Sequence, residues 1–188
     1  METDHQIPET NYVLHRRFDR MGRLVGDANM EKLFASHVMI IGLGGVGSWA
    51  AESLIRSGVG QVTLVDFDEV CITNTNRQLP AMQGQVGKKK ASLMAERLRK
   101  INPQAVVTDM VMFYNQENSE TILSKKPDFI VDAIDNLTAK CHLIATCKKL
   151  GISIVSSGGA AARMNPTRVQ MADLGQTQCF RYRSYHLD

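Results

Sequence analysis

The sequence predicts an α/β fold: a Rossmann-like, mostly parallel sheet with helices on both faces, preceded by short N-terminal helices. Three observations predict it. Strand-sized apolar runs alternate with helical periodicity along most of the 188 residues. The first run, Val38 to Leu43, leads into Gly42-Leu43-Gly44-Gly45-Val46-Gly47, a G-x-G-x-x-G pattern at the start of a helical stretch. Asp66 closes the second run, nineteen residues beyond Gly47. The composition, 44% hydrophobic and 22% charged, is ordinary globular usage and excludes a disordered or low-complexity chain. No apolar run approaches the ~20 residues that cross a bilayer.

Residues 1–10 read as a flexible lead, 11–175 as one nucleotide-binding domain, and 176–188 as an atypical tail. Helical spacing of Tyr12, Leu14, Phe18, Leu24, Met30, Leu33 and Phe34, interrupted at Gly22 and Gly26, predicts two short helices. After the first strand come a helix from Val46 to Ser57 and a strand from Gln61 to Asp66. A long polar connection, Phe67 to Gly87, precedes a helix over Lys88 to Ile101, with Ala91, Met94, Ala95 and Leu98 on one face and Asn102-Pro103 as its stop. Ala105 to Thr108 is the third strand, Glu117 to Leu123 a helix, and Asp128 to Ala133 the fourth strand. Leu137 to Leu150 is a helix ended by Gly151. Ile152 to Val155 is the fifth strand, and Pro166 to Met171 reads as a further, irregular strand.

Formal net charge is +3, which permits contact with nucleotide or nucleic acid without demanding it. The four cysteines, Cys71, Cys141, Cys147 and Cys179, form no C-x-x-C pair, so a ribbon-type zinc site has no support. The opening METDHQIPET is polar and acidic, unlike a secretory signal. The expected setting is therefore the cytoplasm, with reduced thiols and no membrane.

Ligands on parallel sheets bind at the carboxyl ends of the strands, and each polar cluster of this chain follows a strand. The glycines Gly42, Gly44, Gly45 and Gly47, with Val46, allow a tight turn and close approach of backbone N–H groups to phosphate at a helix N-terminus. Asp66 stands where a carboxylate accepts from ribose hydroxyls. The loop alone does not choose between NAD, S-adenosylmethionine and ATP. Asn74 and Arg77, in Asn74-Thr-Asn-Arg77-Gln78, and Lys90, in the run Lys88-Lys89-Lys90, favour a triphosphate, whose charge needs cationic donors and a metal. Three lysines at a helix N-terminus oppose its dipole, which points to a nearby anion. Asp132 and Asp135 end the fourth strand; Asp135 is the Mg²⁺-ligand candidate, and Asp132 suits a structural or capping role. Asn136 is also a cap candidate. Arg16, Arg17 and Arg20 surround Phe18 and would usually be solvated.

In order along the chain, Arg17-Phe-Asp-Arg20, Gly42-Leu-Gly-Gly-Val-Gly47, Val65-Asp66-Phe-Asp68, Asn74-x-x-Arg77-Gln78, Val86-Gly-x-x-Lys90 and Asp132-Ala-Ile-Asp135-Asn136 resemble the E1-like adenylating superfamily, the ThiF/MoeB/HesA group. The resemblance runs from about Arg16 to Leu174. It implies an E1-like adenylation fold in which a carboxylate attacks the α-phosphate of ATP. Asp66 would hold the ribose, Asp68 would belong to the cofactor-binding set, Asn74, Arg77 and Lys90 would line the phosphates, and Asp135 would bind Mg²⁺. Arg20 would reach the γ-phosphate, often from the partner subunit of a homodimer.

Within the superfamily the chain is most similar to the tRNA threonylcarbamoyladenosine dehydratases, through Glu69-Val-Cys-Ile-Thr-Asn-Thr-Asn-Arg-Gln78, Met94 to Pro103, Ser156-Ser-Gly-Gly-Ala160 and Asn165 to Gln170. That implies ATP-dependent cyclisation of N6-threonylcarbamoyladenosine in tRNA, with cysteine desulfurase or sulfur-transfer proteins as further partners. The alternatives are adenylation of the C-terminus of a ubiquitin-like sulfur carrier, whose activators usually carry C-x-x-C pairs, or an inactive nucleotide-binding homologue. Relatives continue beyond the Asp173-Leu174 element, so the tail reads as a truncated end; its Arg181, Tyr182, Arg183 and Tyr185 interleave charge and aromatics as RNA-binding segments do.

Overall fold

The computed structural model describes residues 15–159 and 164–176. The readings of the lead, of Tyr12 and Leu14, of Ala160, and of the tail with Cys179 and its arginine–tyrosine cluster lie outside the described residues.

Five strands form one sheet: β1 (His37–Ile41), β2 (Gln61–Val65), β3 (Val106–Met110), β4 (Phe129–Asp132) and β5 (Ser153–Ser156). Their order is β3-β2-β1-β4-β5, and every neighbouring pair is parallel. Alternate residues of each strand face opposite layers. Val38, Ile40, Val62 and Leu64 pack under α3 (Gly47–Arg56) and α4 (Lys90–Ile101), against Ala51, Ile55, Ala91, Met94 and Leu98. Met39, Ile41, Val65 and Ile130 pack under α5 (Ser119–Leu123) and α6 (Leu137–Leu150), against Tyr114, Ile122, Leu143 and Cys147. Burial pushes the Tyr114 phenol up to about 12 and the Cys147 thiol up to about 11. Among the described residues, no helix is long and apolar enough to cross a membrane.

Two short helices, α1 (Asp19–Val25) and α2 (Asp27–Ala35), precede the sheet as expected. The break lies at Gly26, with φ +78°, whereas Gly22 is buried inside α1. Phe18 and Met30 anchor this pair in a small cluster with Met21, Leu33 and Phe34. Phe34 and Met30 press against Gly58, Gly60 N–H donates to Leu33 O (3.0 Å), and Arg17 Nη1 donates to Ile101 O (2.8 Å). All these contacts lie where chain enters β2 and β3, at the amino ends of the strands.

One sequence reading needs correction. Residues 166–171 form no strand: Asn165 Oδ1 accepts from Thr167 N (3.0 Å), Pro166 takes the first position of a 3-10 turn, and the pairing ladder ends at β5. A proline at a capped first position starts a helical turn more readily than a strand. In the Lys88–Lys90 run, two of the three lysines have acidic partners within the chain. Lys89 Nζ pairs with Glu69 (3.0 Å) and Lys90 Nζ with Asp68 (2.8 Å), so the connection after β2 supplies the opposing charge.

Candidate functional site

The chain reverses its direction of travel across the sheet between β1 and β4, so a crevice opens beyond their carboxyl ends. Gly42 leaves β1 with φ +92°, and a Cβ there would lie 2.7 Å from Ala133 O, at the end of β4. A Cβ on Gly47 would lie 1.8 Å from Gly42 O. Both glycines are therefore demanded by the turn itself. Gly45 sits under the stem of Arg77, whose Cγ and Cδ would be 3.3 Å from an added Cβ. Gly44 differs: its φ is unexceptional, and the nearest atom to an added Cβ is Gln78 Nε2 at 3.8 Å. Neither conformation nor crowding requires glycine there.

Asp66 is bound into this loop. One carboxylate oxygen accepts from Leu43 N (2.6 Å), the other from Asp68 N (2.8 Å). Burial raises its pKa, and the two backbone donors with Lys90 act against that rise. Each oxygen keeps a further lone pair for an outside donor. Asp68 turns to Lys90, whose ammonium is buried while Asp68 stays open to solvent.

The connection after β2 carries the next group of residues. Asn74 is buried, and its Oδ1 accepts from Cys71 N (3.0 Å), closing a capped turn. Arg77 is exposed; its Nη1 donates to Thr73 O (3.2 Å) and Asn76 Oδ1 (2.8 Å). Trp49 Nε1 donates to Arg77 O (3.0 Å), tying the connection to α3. Gln78 is 8% exposed, and its Oε1 has no hydrogen-bond partner among the described residues. The Gln78 atom that faces Gly44 is the amide nitrogen, Nε2.

Across the crevice, Asp132 is fully buried and pairs with Lys140, itself 1% exposed, at 2.6 Å. Ser156 Oγ donates to the same carboxylate oxygen (2.6 Å), and Ile134 N to the other (3.0 Å). Asp132 is thus structural, as one of its two readings expected; the cap of α6 is Asn136, whose Oδ1 accepts from Ala139 N (2.9 Å). Asp135 is exposed between them and engages no partner among the described residues. Lys140 was not singled out in the sequence, where it is one lysine of a mixed helix.

The structure therefore gathers Gly42, Gly44, Gly45, Val46, Gly47, Asp66, Asp68, Asn74, Arg77, Lys90 and Asp135 at the carboxyl end of the sheet. It does not bring Arg20 there. Arg20 projects from α1, which is seated at the amino ends of the strands, so its own crevice is at the other end of the sheet.

A model of the ThiF family matches residues 18–186. The chain is 45% identical over 162 residues to the tRNA threonylcarbamoyladenosine dehydratase of Haemophilus influenzae, covering 86% of this chain and 62% of that protein. It is 34% identical over 134 residues to the molybdopterin-synthase adenylyltransferase of Escherichia coli, covering 71% and 53%. The crystal structure of the E. coli tRNA N6-threonylcarbamoyladenosine dehydratase, TcdA, in complex with ATP superposes with a TM-score of 0.85 at 42% identity, covering 88% of this chain and 70% of that one. The AMP complex of the same enzyme matches equally well. The chain spans about three fifths of the length of the curated dehydratases it matches first.

Proposed function

The chain belongs to the ThiF family, and from that membership we propose that it catalyses ATP-dependent cyclisation of N6-threonylcarbamoyladenosine in tRNA through a carboxyl-adenylate. The observation that carries this reading is one crevice lined by the glycine loop, the loop-bound Asp66, Arg77 above Gly45, and Asp135 on the facing strand end. Relatives 43–45% identical bear the dehydratase name, and one was crystallised with ATP and with AMP.

The residues fit ATP. Gly44 leaves space in the loop, where the nearest atom to an added Cβ is Gln78 Nε2 at 3.8 Å. Asp66 has lone pairs left for ribose hydroxyls, with Asp68 beside it. Arg77, Lys90 and Asn74 lie on the phosphate side. Mg²⁺ needs few protein ligands when phosphates supply the rest, and Asp135, with both oxygens uncommitted, suits it. That metal, when bound, neutralises charge on the phosphates.

In the proposed reaction the substrate's threonine carboxylate attacks the α-phosphate and pyrophosphate leaves. The neighbouring ureido group then attacks the activated carbonyl, the ring closes and AMP departs. The second step is intramolecular, so holding the adenylate in place supplies much of the rate. Arg20 acts in this reading from a second copy in a homodimer, since its own crevice is out of reach. We place the enzyme in the cytoplasm with tRNA as substrate and a sulfur-transfer protein as a further partner.

The test is AMP release from Mg-ATP with threonylcarbamoylated tRNA, with unmodified tRNA and with none. AMP with the modified tRNA alone is expected. AMP formed only with a carrier protein overturns the reading in favour of carrier adenylation. Asp135→Ala should abolish turnover, and Arg77→Ala should slow the chemical step by about 10²–10³-fold, the usual loss for one transition-state charge donor.

A further inference from the structure

We propose that Trp49 is the platform on which the target adenine of the RNA stacks; the inference rests on the reading above and adds the RNA side of the same crevice. Trp49 is the only tryptophan of the chain. It sits in the first turn of α3 and is 54% exposed, while Ala51 and Ile55 of that helix are buried in the core. A tryptophan that leaves half its surface in water is contributing little to its own core.

Its polar edge is already satisfied. Nε1 donates to Arg77 O at 3.0 Å, which fixes the ring against the wall of the crevice. Val46, just before α3, is exposed as well, so the apolar surface continues to the mouth of the glycine loop. A ring pinned at its edge loses little entropy when a flat partner lies on its face.

Position supplies the second argument. Trp49 lies two residues past Gly47, about 3 Å along the helix axis from the end of the glycine loop. It is bonded to Arg77, whose stem covers Gly45. The reacting carboxylate hangs four bonds from adenine N6, a reach of about 5 Å. A carboxylate delivered to a phosphate over this loop therefore leaves its base about one side chain away, at the site of the indole. Single-stranded bases are bound by stacking on such aromatic rings.

Because the chain holds one tryptophan, its emission reports this ring alone. The full chain, saturated with a non-hydrolysable ATP analogue, is titrated with a threonylcarbamoylated anticodon stem-loop, with nucleotide alone as the baseline. Quenching on addition of RNA is expected. Trp49→Ala should weaken stem-loop binding by about 10- to 100-fold, the range for one lost base stack, with ATP affinity held within about twofold. Trp49→Phe, which keeps a ring but not the N–H, should recover most of that loss. A ring that merely tethers the 67–89 connection would make Phe as harmful as Ala and lower ATP affinity in both, and that result overturns the proposal. Emission that follows protein concentration instead of RNA would show a second copy covering the ring, and also overturns it. Stem-loop binding is read without turnover. Absence of AMP from the wild type would count against the dehydratase reading while the quenching still decides the role of Trp49.

Discussion

The two lips of the crevice end their strands at the same height by opposite means. On the β1 side the chain turns by removing side chains: Gly42 and Gly47 are compressed against Ala133 and against each other. On the β4 side it turns by burying charge: Asp132, Lys140 and Ser156 lock the ends of β4 and β5 to α6. The glycine lip leaves backbone and open space, the requirements for seating phosphate. The charged lip puts its strongest interaction behind the surface, which leaves Asp135 uncommitted in front. A site needs both, one wall that yields room and one that holds a carboxylate in place without consuming it.

The comparison breaks most sharply at Lys140. Lys140→Met strands Asp132 in a buried environment, and removing one partner of a buried pair costs about 3–5 kcal/mol. Urea unfolding should show that loss, and Lys140→Met with Asp132→Asn should be more stable than the single variant, because no unpaired charge remains. A loss below about 1 kcal/mol in the single variant would mean that the pair is not what holds this lip.

On the glycine lip the effects should divide by position. Gly42→Ala forces a left-handed residue and a Cβ onto Ala133 O, a cost of about 2–4 kcal/mol. Gly44→Ala meets only an ordinary contact with Gln78, so stability should stay within about 0.5 kcal/mol. ATP affinity should nevertheless fall about tenfold or more, some 1.4 kcal/mol or above. Thermal unfolding and nucleotide titration on the two variants separate fold from ligand. Loss of stability at position 44 would place Gly44 with the turn-forming glycines.

This division also explains what was legible in the sequence. The glycine lip is local: strand, loop and helix start lie within eleven residues, and Asp66 directly follows the next strand. Period and spacing therefore exposed it. The charged lip joins β4, α6 and β5, and Lys140 looks in sequence like any lysine on an amphipathic helix; only tertiary contact shows it buried. Gln78 escaped for the same reason, since nothing local marks an amide as buried with an orphaned oxygen. The acidic partners of Lys89 and Lys90, Glu69 and Asp68, lie some twenty residues upstream, so nothing local shows the pairing.

The smallest expected effect comes from the far end of the same strand and sharpens the contrast between ends. His37 opens β1, buried, with Nε2 hydrogen-bonded to Thr63 Oγ1 at 2.8 Å. Burial holds its pKa below the ordinary imidazole range, with Asp128 acting in the opposite direction. The unfolded chain takes up this proton near pH 6.5, and the folded chain only at lower pH. Between the two values the unfolded state binds more protons, so stability falls as pH drops through this window and is level above it. The slope contributed by this one group cannot exceed about 1.4 kcal/mol per pH unit. His37→Gln, which keeps a donor and acceptor without titrating, should flatten that part of the urea-derived stability profile. ATP affinity measured across the same window should not respond to the substitution, because His37 and the glycine loop stand at opposite ends of β1. A matching change in ATP affinity would mean that protonation at the floor of the sheet is felt at its lip, and that the two ends are not independent.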